Sequence, residues 1–240
     1  MTKVLAIGDT HGRLNWKQLV SREAMMFDKL IFLGDYFDSR EGINNNEQVK
    51  NFKDIVQLKR NYPEKIELLF GNHDFHYISS EAYSLYDPKL RDKIEPLLKE
   101  LLEEGVLKLC YHHNGFLFSH AGISTEWLDR WNYDYSDIDN MVDSINDMMK
   151  TEDIHTHLSF GMNTPEQRWP STTGDDTTQS PIWIRPLSLS RSKLPDVTHV
   201  FGHTQVTELQ EIKNMIASDI LGTKSQCIMI QDGSWEVKNI

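Results

Sequence analysis

The sequence predicts an α/β fold in which two sheets pack against each other. Apolar runs over residues 4–7, 30–33 and 66–70 resemble short buried strands, and amphipathic stretches with helical spacing separate them. Near the end of the chain, strand-like runs follow one another with only short turns between them, as in hairpins. The chain has 240 residues, enough for one substantial core, so we expect a single domain over residues 1–240.

Two long helices are expected in the first half of the chain. Apolar residues recur on one face of residues 46–62, and Pro63 is placed to end that helix. Residues 87–104 show a similar pattern, with Pro88 suited to the first helical turn. Pro96 lies inside this second pattern, which predicts a kink or a division into two pieces.

The second half of the chain mixes strands, helices and one long polar segment. Residues 106–111 and 115–119 resemble paired strands, and residues 124–131 and 136–150 resemble helices that each begin at a capping serine. Residues 151–180 are rich in Thr, Ser, Pro, Gly and Asp, so we expect a surface excursion of the kind that often selects substrates. The remaining strand-like runs cover residues 197–201, 207–212, 215–218, 227–231 and 235–238.

The composition argues against a membrane protein and against a protein that binds nucleic acid. No apolar run approaches the roughly 18 residues of a membrane span, and the N-terminus has none of the features of a signal peptide. The formal net charge is −11 and no basic stripe is visible, so nucleic acid is not an expected partner. Two cysteines, Cys110 and Cys227, adjoin apolar segments. Buried free thiols are typical of a reducing compartment, which favours a cytoplasmic protein.

One pattern recurs at five places: an apolar run ends in a small residue, and a residue type that ligates metals follows. Parallel strands bring their carboxyl ends to one edge of a sheet, where ligands usually bind. Glycine at a strand end lets the backbone turn without a Cβ clash. We therefore expect one crevice to gather the residues that follow these runs, namely Asp9, His11, Asp35, Asn72, His120 and His203.

These residue types favour a particular class of metal. Imidazole binds Mn²⁺, Fe, Zn²⁺ and Ni²⁺ well, and a carboxylate can bridge two such ions. The set contains no cysteine, which argues against structural zinc, and its histidines argue against an all-oxygen calcium site. Taken singly, each residue is more readily explained as a turn, a cap or a hydrogen-bonding side chain. Their joint occurrence in this order favours a metal site.

At these residues the sequence resembles the calcineurin-like metallophosphoesterases, and within them the phosphoprotein phosphatase branch, including its small bacterial and phage members. The resemblance implies a four-layer α/β/β/α sandwich, with two mixed sheets flanked by helices. It also implies two divalent metal ions, with Mn²⁺ as the first choice. Five motifs carry it: GDTHG at residues 8–12, GDYFDSR at 34–40, GNHD at 71–74, FSHAG at 118–122 and FGHT at 201–204.

The resemblance also implies a metal-ligand set, carried over position by position. Asp35 would bridge the two ions, and water activated between them would attack phosphorus. The first ion would be held by Asp9, His11 and Asp35, and the second by Asp35, Asn72, His120 and His203.

Catalytic and phosphate-binding roles are implied in the same way. His73 matches the general acid, and Asp38 matches the carboxylate that orients its ring. Arg185 and Asn72 would contact the phosphate. The usual Asp-Arg-Gly is replaced by Asp-Ser-Arg at residues 38–40, so Arg40 would supply the arginine from one position later.

Two further departures bear on the substrate. GNHD stands where protein phosphatases more often have GNHE, whereas Gln205 replaces a histidine common in other metallophosphoesterases. The leading interpretation is hydrolysis of phosphate monoesters, by a serine/threonine protein phosphatase acting on a phosphorylated protein or a small phosphoester. One alternative is hydrolysis of a dinucleoside polyphosphate such as diadenosine tetraphosphate, with residues 151–180 as the discriminating segment. A non-catalytic scaffold that binds a partner protein is the third, although a scaffold need not retain His73.

Overall fold

The computed structural model describes residues 2–23, 26–160 and 176–240. Its strands are β1 (Lys3–Ile7), β2 (Lys29–Phe32), β3 (Ile66–Leu69), β4 (Leu107–Lys108), β5 (Cys110–His113), β6 (Phe116–Ser119), β7 (Thr198–Gln205), β8 (Gln210–Glu211), β9 (Met215–Asp219), β10 (Gln226–Gln231) and β11 (Ser234–Asn239). Its helices are α1 (Asn15–Glu23), α2 (Asn45–Asn61), α3 (Asn72–Phe75), α4 (Pro88–Glu103), α5 (Thr125–Arg130), α6 (Ile138–Met148), α7 (Ile154–His157) and α8 (Pro186–Ser192). Within the described ranges, no helix is both long and apolar enough to cross a membrane.

The described strands form two mixed sheets. One has the order β11-β10-β1-β2-β3-β4, in which β1 to β4 run parallel and β10 and β11 join antiparallel. The other has the order β5-β6-β7-β9-β8, in which β6, β7 and β9 run parallel. In each sheet the parallel strands therefore bring their carboxyl ends to a common edge.

Apolar side chains divide the protein into four layers. Alternate residues of both sheets, such as Val4 and Phe118, form a buried cluster between the sheets. Their sequence neighbours, such as Leu5, point the other way and pack with residues of α2 and α4. On the outer face of the second sheet, Phe201 packs with Leu189 of α8. Two mixed sheets flanked by helices are the predicted α/β/β/α sandwich, so the fold class is confirmed.

Helix α4 differs from its prediction in one respect. Asp87 caps it by accepting the N–H of Lys89, and Pro88 occupies the first turn as expected. The helix then continues unbroken through Pro96, so a division into two pieces is wrong. Pro96 cannot donate to the carbonyl of Asp92, but both residues are exposed and water can satisfy that carbonyl.

The predicted capping serines are correct for one helix and wrong for the next. Ser124 caps α5, because its side chain accepts the N–H of Trp127. Helix α6 is instead capped by Asp137, whose carboxylate accepts two main-chain N–H groups of the first turn. Ser136 lies one residue too early, and its own N–H donates to the Asp134 carboxylate at 2.9 Å.

Other segments also depart from expectation. The strand expected over residues 207–212 is reduced to β8, after which Lys213 and Asn214, both with positive φ, turn the chain into β9. Helices α1 and α8 were not expected. Of the polar excursion over residues 151–180, the described part contains α7, and residues 161–175 lie outside the described residues.

Candidate active site

The six predicted metal ligands converge at the carboxyl ends of five strands. Parallel pairing places β1, β2 and β3 side by side, and β6 beside β7. Ligand atoms of Asp9, Asp35 and His120 lie within 4.8 Å of one another. The positions are Asp9 and His11 after β1, Asp35 after β2, Asn72 after β3, His120 after β6 and His203 near the C-terminal end of β7.

The backbone at this site has an uncommon conformation. His11, Asp35, Asp38 and His203 have positive φ angles of 45°, 53°, 65° and 61°. Residues other than glycine rarely enter this left-handed region, and such strain concentrates at functional sites. Hydrogen bonds hold it in place: the His11 N–H donates to the Asp35 carbonyl at 2.8 Å, and the His203 N–H donates to the Asp9 carboxylate at 3.0 and 3.1 Å.

Two glycines let the carboxylates approach the main chain closely. A Cβ on Gly71 would lie 2.2 Å from Oδ1 of Asp35, and one on Gly202 would lie 2.0 Å from Oδ1 of Asp9. Both separations are far inside van der Waals contact. Gly71, which follows β3, and Gly202, which lies within β7, are therefore required by the close approach of the carboxylates.

Asp74, the last residue of the GNHD motif, fixes the position of Asp35. Its Oδ2 accepts the N–H groups of Asp35 and Gly71, and its Oδ1 accepts the N–H of Tyr36, all at 2.9 Å. Oδ1 of Asp35 in turn accepts the N–H of His73 at 2.8 Å. The motifs did not predict a role for Asp74. The one feature of the sequence that could have indicated it is an acidic residue directly after His73, the predicted general acid.

The tautomers of two histidines are set by main-chain carbonyls. His120 Nδ1 donates to the carbonyl of Leu33 at 2.7 Å, and His203 Nε2 donates to the carbonyl of Trp183 at 3.1 Å. The other ring nitrogens, which then carry lone pairs, lie 2.9 and 2.8 Å from Oδ1 of Asn72. Three acceptor atoms, two ring nitrogens and the oxygen of Asn72, thus face one another. A cation bound between them would be ligated by all three and would remove their mutual repulsion.

Asp35 lies between two such imidazoles. Its Oδ2 is 3.8 Å from Nε2 of His11 and 3.4 Å from Nε2 of His120. His11 Nδ1 donates to the carbonyl of Phe37 at 2.5 Å, so its Nε2 also presents a lone pair. One carboxylate that borders both halves of the cluster has the placement expected of a bridging ligand.

The protonation of the cluster is consistent with cation binding. Burial, with the charge of Asp219 adding to it, raises the pKa of Asp9 well above its ordinary value. Burial and the charge of Asp9 do the same to the pKa of Asp35. Burial lowers the pKa of His11 and of His120 to about 3, so both imidazoles are neutral. Crowded buried carboxylates and neutral imidazoles lack a compensating positive charge, which divalent cations would supply.

His73 and Asp38 form the predicted acid pair. His73 Nδ1 donates to Oδ2 of Asp38 at 2.6 Å. Two residues that the motifs did not indicate also contact this carboxylate. His76 Nε2 lies 2.7 Å from the same oxygen, without the alignment of a hydrogen bond, and the Tyr77 hydroxyl donates to Oδ1. Burial alone would raise the pKa of Asp38, but His73 and His76 hold it below its ordinary value.

A cavity of about 330 Å³ adjoins the cluster. Asp219, at the end of β9, contributes a further carboxyl to it, and burial raises the pKa of this group to about 6. The lining residues are Asp9, His11, Arg13, Asp35, Arg40, Asn72, His73, Tyr83, Ser84, Trp183, Arg185, His203, Gln205 and Asp219.

Three arginines line the cavity, two of them predicted. The main chain holds Arg185 in place, because its Nη1 donates to the carbonyl of His203 at 3.3 Å. Arg40 is exposed and lines the cavity, although it lies one position later than the arginine of the usual Asp-Arg-Gly. Arg13 was not predicted, and it pairs with Glu41 at 2.8 Å at the edge of the cavity. Arg13 directly follows the motif at residues 8–12, which indicated only metal ligands.

Known proteins resemble this chain in sequence. The profile of the calcineurin-like phosphoesterase family matches residues 2–208. A probable serine/threonine-protein phosphatase of Encephalitozoon cuniculi is 36% identical over 88 residues, which are 35% of this chain and 18% of that protein. A symmetrical bis(5'-nucleosyl)-tetraphosphatase of Paraburkholderia phymatum is 29% identical over 131 residues, which are 51% of this chain and 43% of that protein. The alignments thus span less than half the length of either relative.

Solved structures resemble it in fold. A cold-active protein-tyrosine phosphatase of a psychrophilic Shewanella species superposes with a TM-score of 0.63 at 17% identity, covering 99% of this chain and 80% of that one. A protein serine/threonine phosphatase of Saccharomyces cerevisiae superposes with a TM-score of 0.54 at 16% identity, covering 100% and 80%. At these identities the likeness shows a shared architecture of two sheets flanked by helices.

Proposed function

Because the chain belongs to the calcineurin-like phosphoesterase family, as its motifs predict, we propose that it is a divalent-metal-dependent phosphomonoesterase. One observation carries the proposal: ring nitrogens of His120 and His203 converge on the side-chain oxygen of Asn72, at 2.9 and 2.8 Å. Their outer ring nitrogens are occupied by main-chain carbonyls, so neither ring can turn a proton inward without losing that bond. Such outer hydrogen bonds are typical of metal-ligating histidines.

The proposed ligand set divides into two positions that share Asp35. Bound divalent cations would lower the pKa of a water molecule and place positive charge beside the phosphate oxygens. Mn²⁺ is our first choice, and Fe, Zn²⁺ and Ni²⁺ suit the same nitrogen and oxygen donors. One position would be held by Asp9, His11 and Asp35, and the other by Asp35, Asn72, His120 and His203.

His73 is the proposed general acid. Its Nδ1 is bonded to Asp38, so its Nε2 is the atom that would give a proton to the leaving oxygen. Asp38 keeps the ring oriented through this hydrogen bond. Tyr77 would keep Asp38 in place through its hydroxyl. A positioned acid of this kind contributes about 10²–10⁴ in rate.

The phosphate would be oriented by donors on the cavity wall. Arg185 and Arg40 are the proposed guanidinium contacts, since a guanidinium donates to two phosphate oxygens at once. Asn72 turns its oxygen toward the histidines, and its NH₂ group would donate to a phosphate oxygen. These donors stabilise the charge that builds on the non-bridging oxygens during attack.

The proposed substrate is a phosphorylated protein side chain, with phosphoserine and phosphothreonine as the predicted class. Support comes from the motifs and from the relative named as a serine/threonine-protein phosphatase. A second candidate substrate is a dinucleoside polyphosphate, as in the name of the Paraburkholderia relative. The observation that favours it is the presence of Arg13 beside Arg40 and Arg185, because three guanidinium groups could hold more than one phosphate.

A substrate panel tests the proposal on the full chain. A phosphoserine peptide, an aryl phosphate and diadenosine tetraphosphate are each incubated with Mn²⁺, and metal content is measured on the same sample. We expect phosphate release from the peptide that stops in a chelator. Release from the dinucleotide alone would replace the substrate class, and no turnover of any phosphoester would reject the enzyme and favour the scaffold interpretation.

A further inference from the structure

Strand β11 lies at an open edge of the six-stranded sheet. Among the described strands it pairs with β10 alone, so its other side carries no neighbour there. The other sheet edges are shorter, since β11 has six residues, β5 has four, and β4 and β8 have two each. A long open edge offers unpaired main-chain N–H and C=O groups to another strand. The cavity lining includes no residue of β11, so this edge takes no part in the proposed reaction.

The hydrogen-bonding pattern determines which main-chain groups of β11 point outward. Asp232 and Gly233, with φ angles of 50° and 80°, form a two-residue turn between β10 and β11. The residues on either side of such a turn form a bonded pair, and bonded pairs then alternate with non-bonded pairs along the two strands. The Ile240 N–H, which donates to the Ser225 carbonyl at 2.8 Å, follows this alternation. The residues whose N–H and C=O groups point away from β10 are therefore Trp235, Val237 and Asn239.

Val237 is an apolar residue left open at this edge. Its partner across the hairpin, Ile228, is fully buried between the two sheets, and Trp235 packs against the same cluster. Val237 lies on this same face of the sheet, yet 42% of its surface is exposed. The apolar layer between the sheets thus continues to the edge, where a further strand would cover it.

Two charged residues of opposite sign stand on either side of Val237. Glu236 is exposed, and Lys238 pairs with Glu23 of α1 at 2.7 Å. An ammonium group has three donors, so Lys238 can hold a second carboxylate as well. Charges of one sign would repel a second copy of this strand, whereas opposite signs two residues apart can attract it.

We propose that two copies of this chain associate by antiparallel pairing of their β11 strands about a two-fold axis at Val237. In this register the outward groups of Val237 bond those of Val237 in the second copy, and the outward groups of Trp235 bond those of Asn239. The two valines cover each other, and Glu236 of each copy faces Lys238 of the other. Outward groups also meet when the strands slide by two residues in either direction. Those registers place Glu236 opposite Glu236 or Lys238 opposite Lys238, so the charges select the axis at Val237.

The association should be weak and should depend on protein concentration. A strand of six residues is about 20 Å long, and strand pairing of that length covers less area than a standard stable interface. Sedimentation equilibrium of the metal-loaded full chain, from micromolar to millimolar concentration, measures it. We expect the average mass to rise toward twice that of one chain.

Two substitutions in β11 test the pairing without touching the candidate active site. Val237→Pro removes an N–H that points outward, so the bonds between β10 and β11 remain. Glu236→Lys places a lysine opposite Lys238 of the second copy. Each change should raise the dissociation constant at least about tenfold. Glu103→Lys, at an exposed residue of α4, is the matched control and should leave it unchanged.

Mixing two variants tests the register. Glu236→Lys carries two positive charges at this edge and Lys238→Glu carries two negative ones, so neither should pair with itself and the mixture should form a mixed dimer. Thermal unfolding checks the fold of each variant, and should Lys238→Glu fail to fold because it also faces Glu23, the two other variants still decide. A wild-type chain that stays monomeric throughout the series, a dimer that survives Val237→Pro and Glu236→Lys, or a mixture no tighter than its components would overturn the inference.

Discussion

The candidate metal cluster and the cavity rim are built in different ways. By the rim we mean the lining residues that are not proposed metal ligands, above all Arg13, Arg40, Tyr83 and Arg185. In the cluster, side chains are held by main-chain groups of neighbouring strands, as Asp9 is by the N–H of His203. At the rim, side chains come from connecting segments. Arg13 pairs with the side chain of Glu41 and also donates to the carbonyls of Asp9 and Thr10, and Tyr83 packs on aromatic neighbours. The difference indicates that the chemistry depends on the sheet, whereas substrate choice depends on residues that the sheet does not constrain.

The largest effect is expected from Asp35→Ala. Asp35 borders both halves of the cluster, so its removal should disable both metal positions and lower kcat/KM by more than about 10³-fold. Because an alanine with positive φ is strained, Asp35→Asn is the companion variant, since asparagine tolerates that conformation. Metal content and turnover are measured on the same preparations. Two tightly held cations in either variant would contradict the bridging role.

His73→Ala should separate metal binding from proton transfer. The variant is expected to keep its metal and to lose about 10²–10⁴ in kcat with alkyl phosphates, whose leaving groups need a proton. The loss should be smaller with 4-nitrophenyl phosphate, whose leaving group does not. Metal loss equal to that of Asp35→Ala would show that His73 has been given the wrong role.

Asp74→Asn should show how far the main chain positions the cluster. The amide cannot accept all three N–H groups that the carboxylate accepts, so Asp35 should lose its fixed position. We expect metal affinity to fall about 10- to 100-fold, as for other residues that orient metal ligands. Asp92→Asn, on the exposed side of α4, is the control. Unchanged metal affinity in Asp74→Asn would mean that the strand ends hold Asp35 without it.

Most of the cluster could be predicted from the sequence, but at the rim only Arg40 and Arg185 could be. Asp9, Asp35 and Asn72 follow buried strands, and a strand leaves a short apolar run and a glycine that are easy to recognise. Asp74 lies in the same GNHD motif as Asn72, but its carboxylate accepts main-chain N–H groups, and no pattern of residue types predicts such bonds. Tyr83 belongs to a loop whose course depends on packing against Trp183, a hundred positions away. Long-range packing of this kind leaves no local periodicity.

The sequence patterns that predict helices missed α1 and α8 and misplaced the cap of α6 for a related reason. Helix α1 buries only Trp16 and Leu19 among its described residues, so its apolar stripe is too short to distinguish from a loop. Helix α8 is shorter still, with seven residues, and its Leu189 is buried against the second sheet. The cap of α6 was misplaced because adjacent Ser136 and Asp137 both suit an N-cap, and only the observed carboxylate bonds distinguish them.

Stabilisation by metal should depend on pH. In the metal-free protein the pKa of Asp9 and of Asp35 is raised, so the folded chain binds more protons than the unfolded chain. The contribution of these two carboxyls to the free energy of unfolding therefore falls as pH rises from about 4 through their folded pKa values. His11 and His120, whose pKa is lowered to about 3, contribute in the opposite direction up to about pH 6.5 but are neutral in the folded chain at both pH 5 and pH 7.5. Asp219, whose pKa is raised to about 6, adds to this trend. Bound cations remove the penalty, so the rise in Tm caused by Mn²⁺ should be larger at pH 7.5 than at pH 5.

Thermal unfolding with Mn²⁺ or with a chelator at both pH values measures this difference. Each tenfold change in proton affinity corresponds to about 1.4 kcal/mol, which shifts Tm by about 3–6 °C in a domain of this size. A rise in Tm that is the same at both pH values would show that the cations do not replace protons on these carboxyls.

The smallest effect is expected from Arg40→Ala, at the exposed end of the rim. An exposed ionic contact is screened by water and typically contributes less than about 1 kcal/mol, so KM should rise less than about fivefold while metal content stays unchanged. Arg185→Ala should have the larger effect, because Arg185 is partly buried and anchored on the carbonyl of His203. Steady-state kinetics of both variants on one phosphopeptide, with kcat and KM separated, provide the comparison. A greater loss from Arg40→Ala would mean that the displaced arginine of the Asp-Ser-Arg segment is a main phosphate contact, and that this part of the rim is as constrained as the cluster.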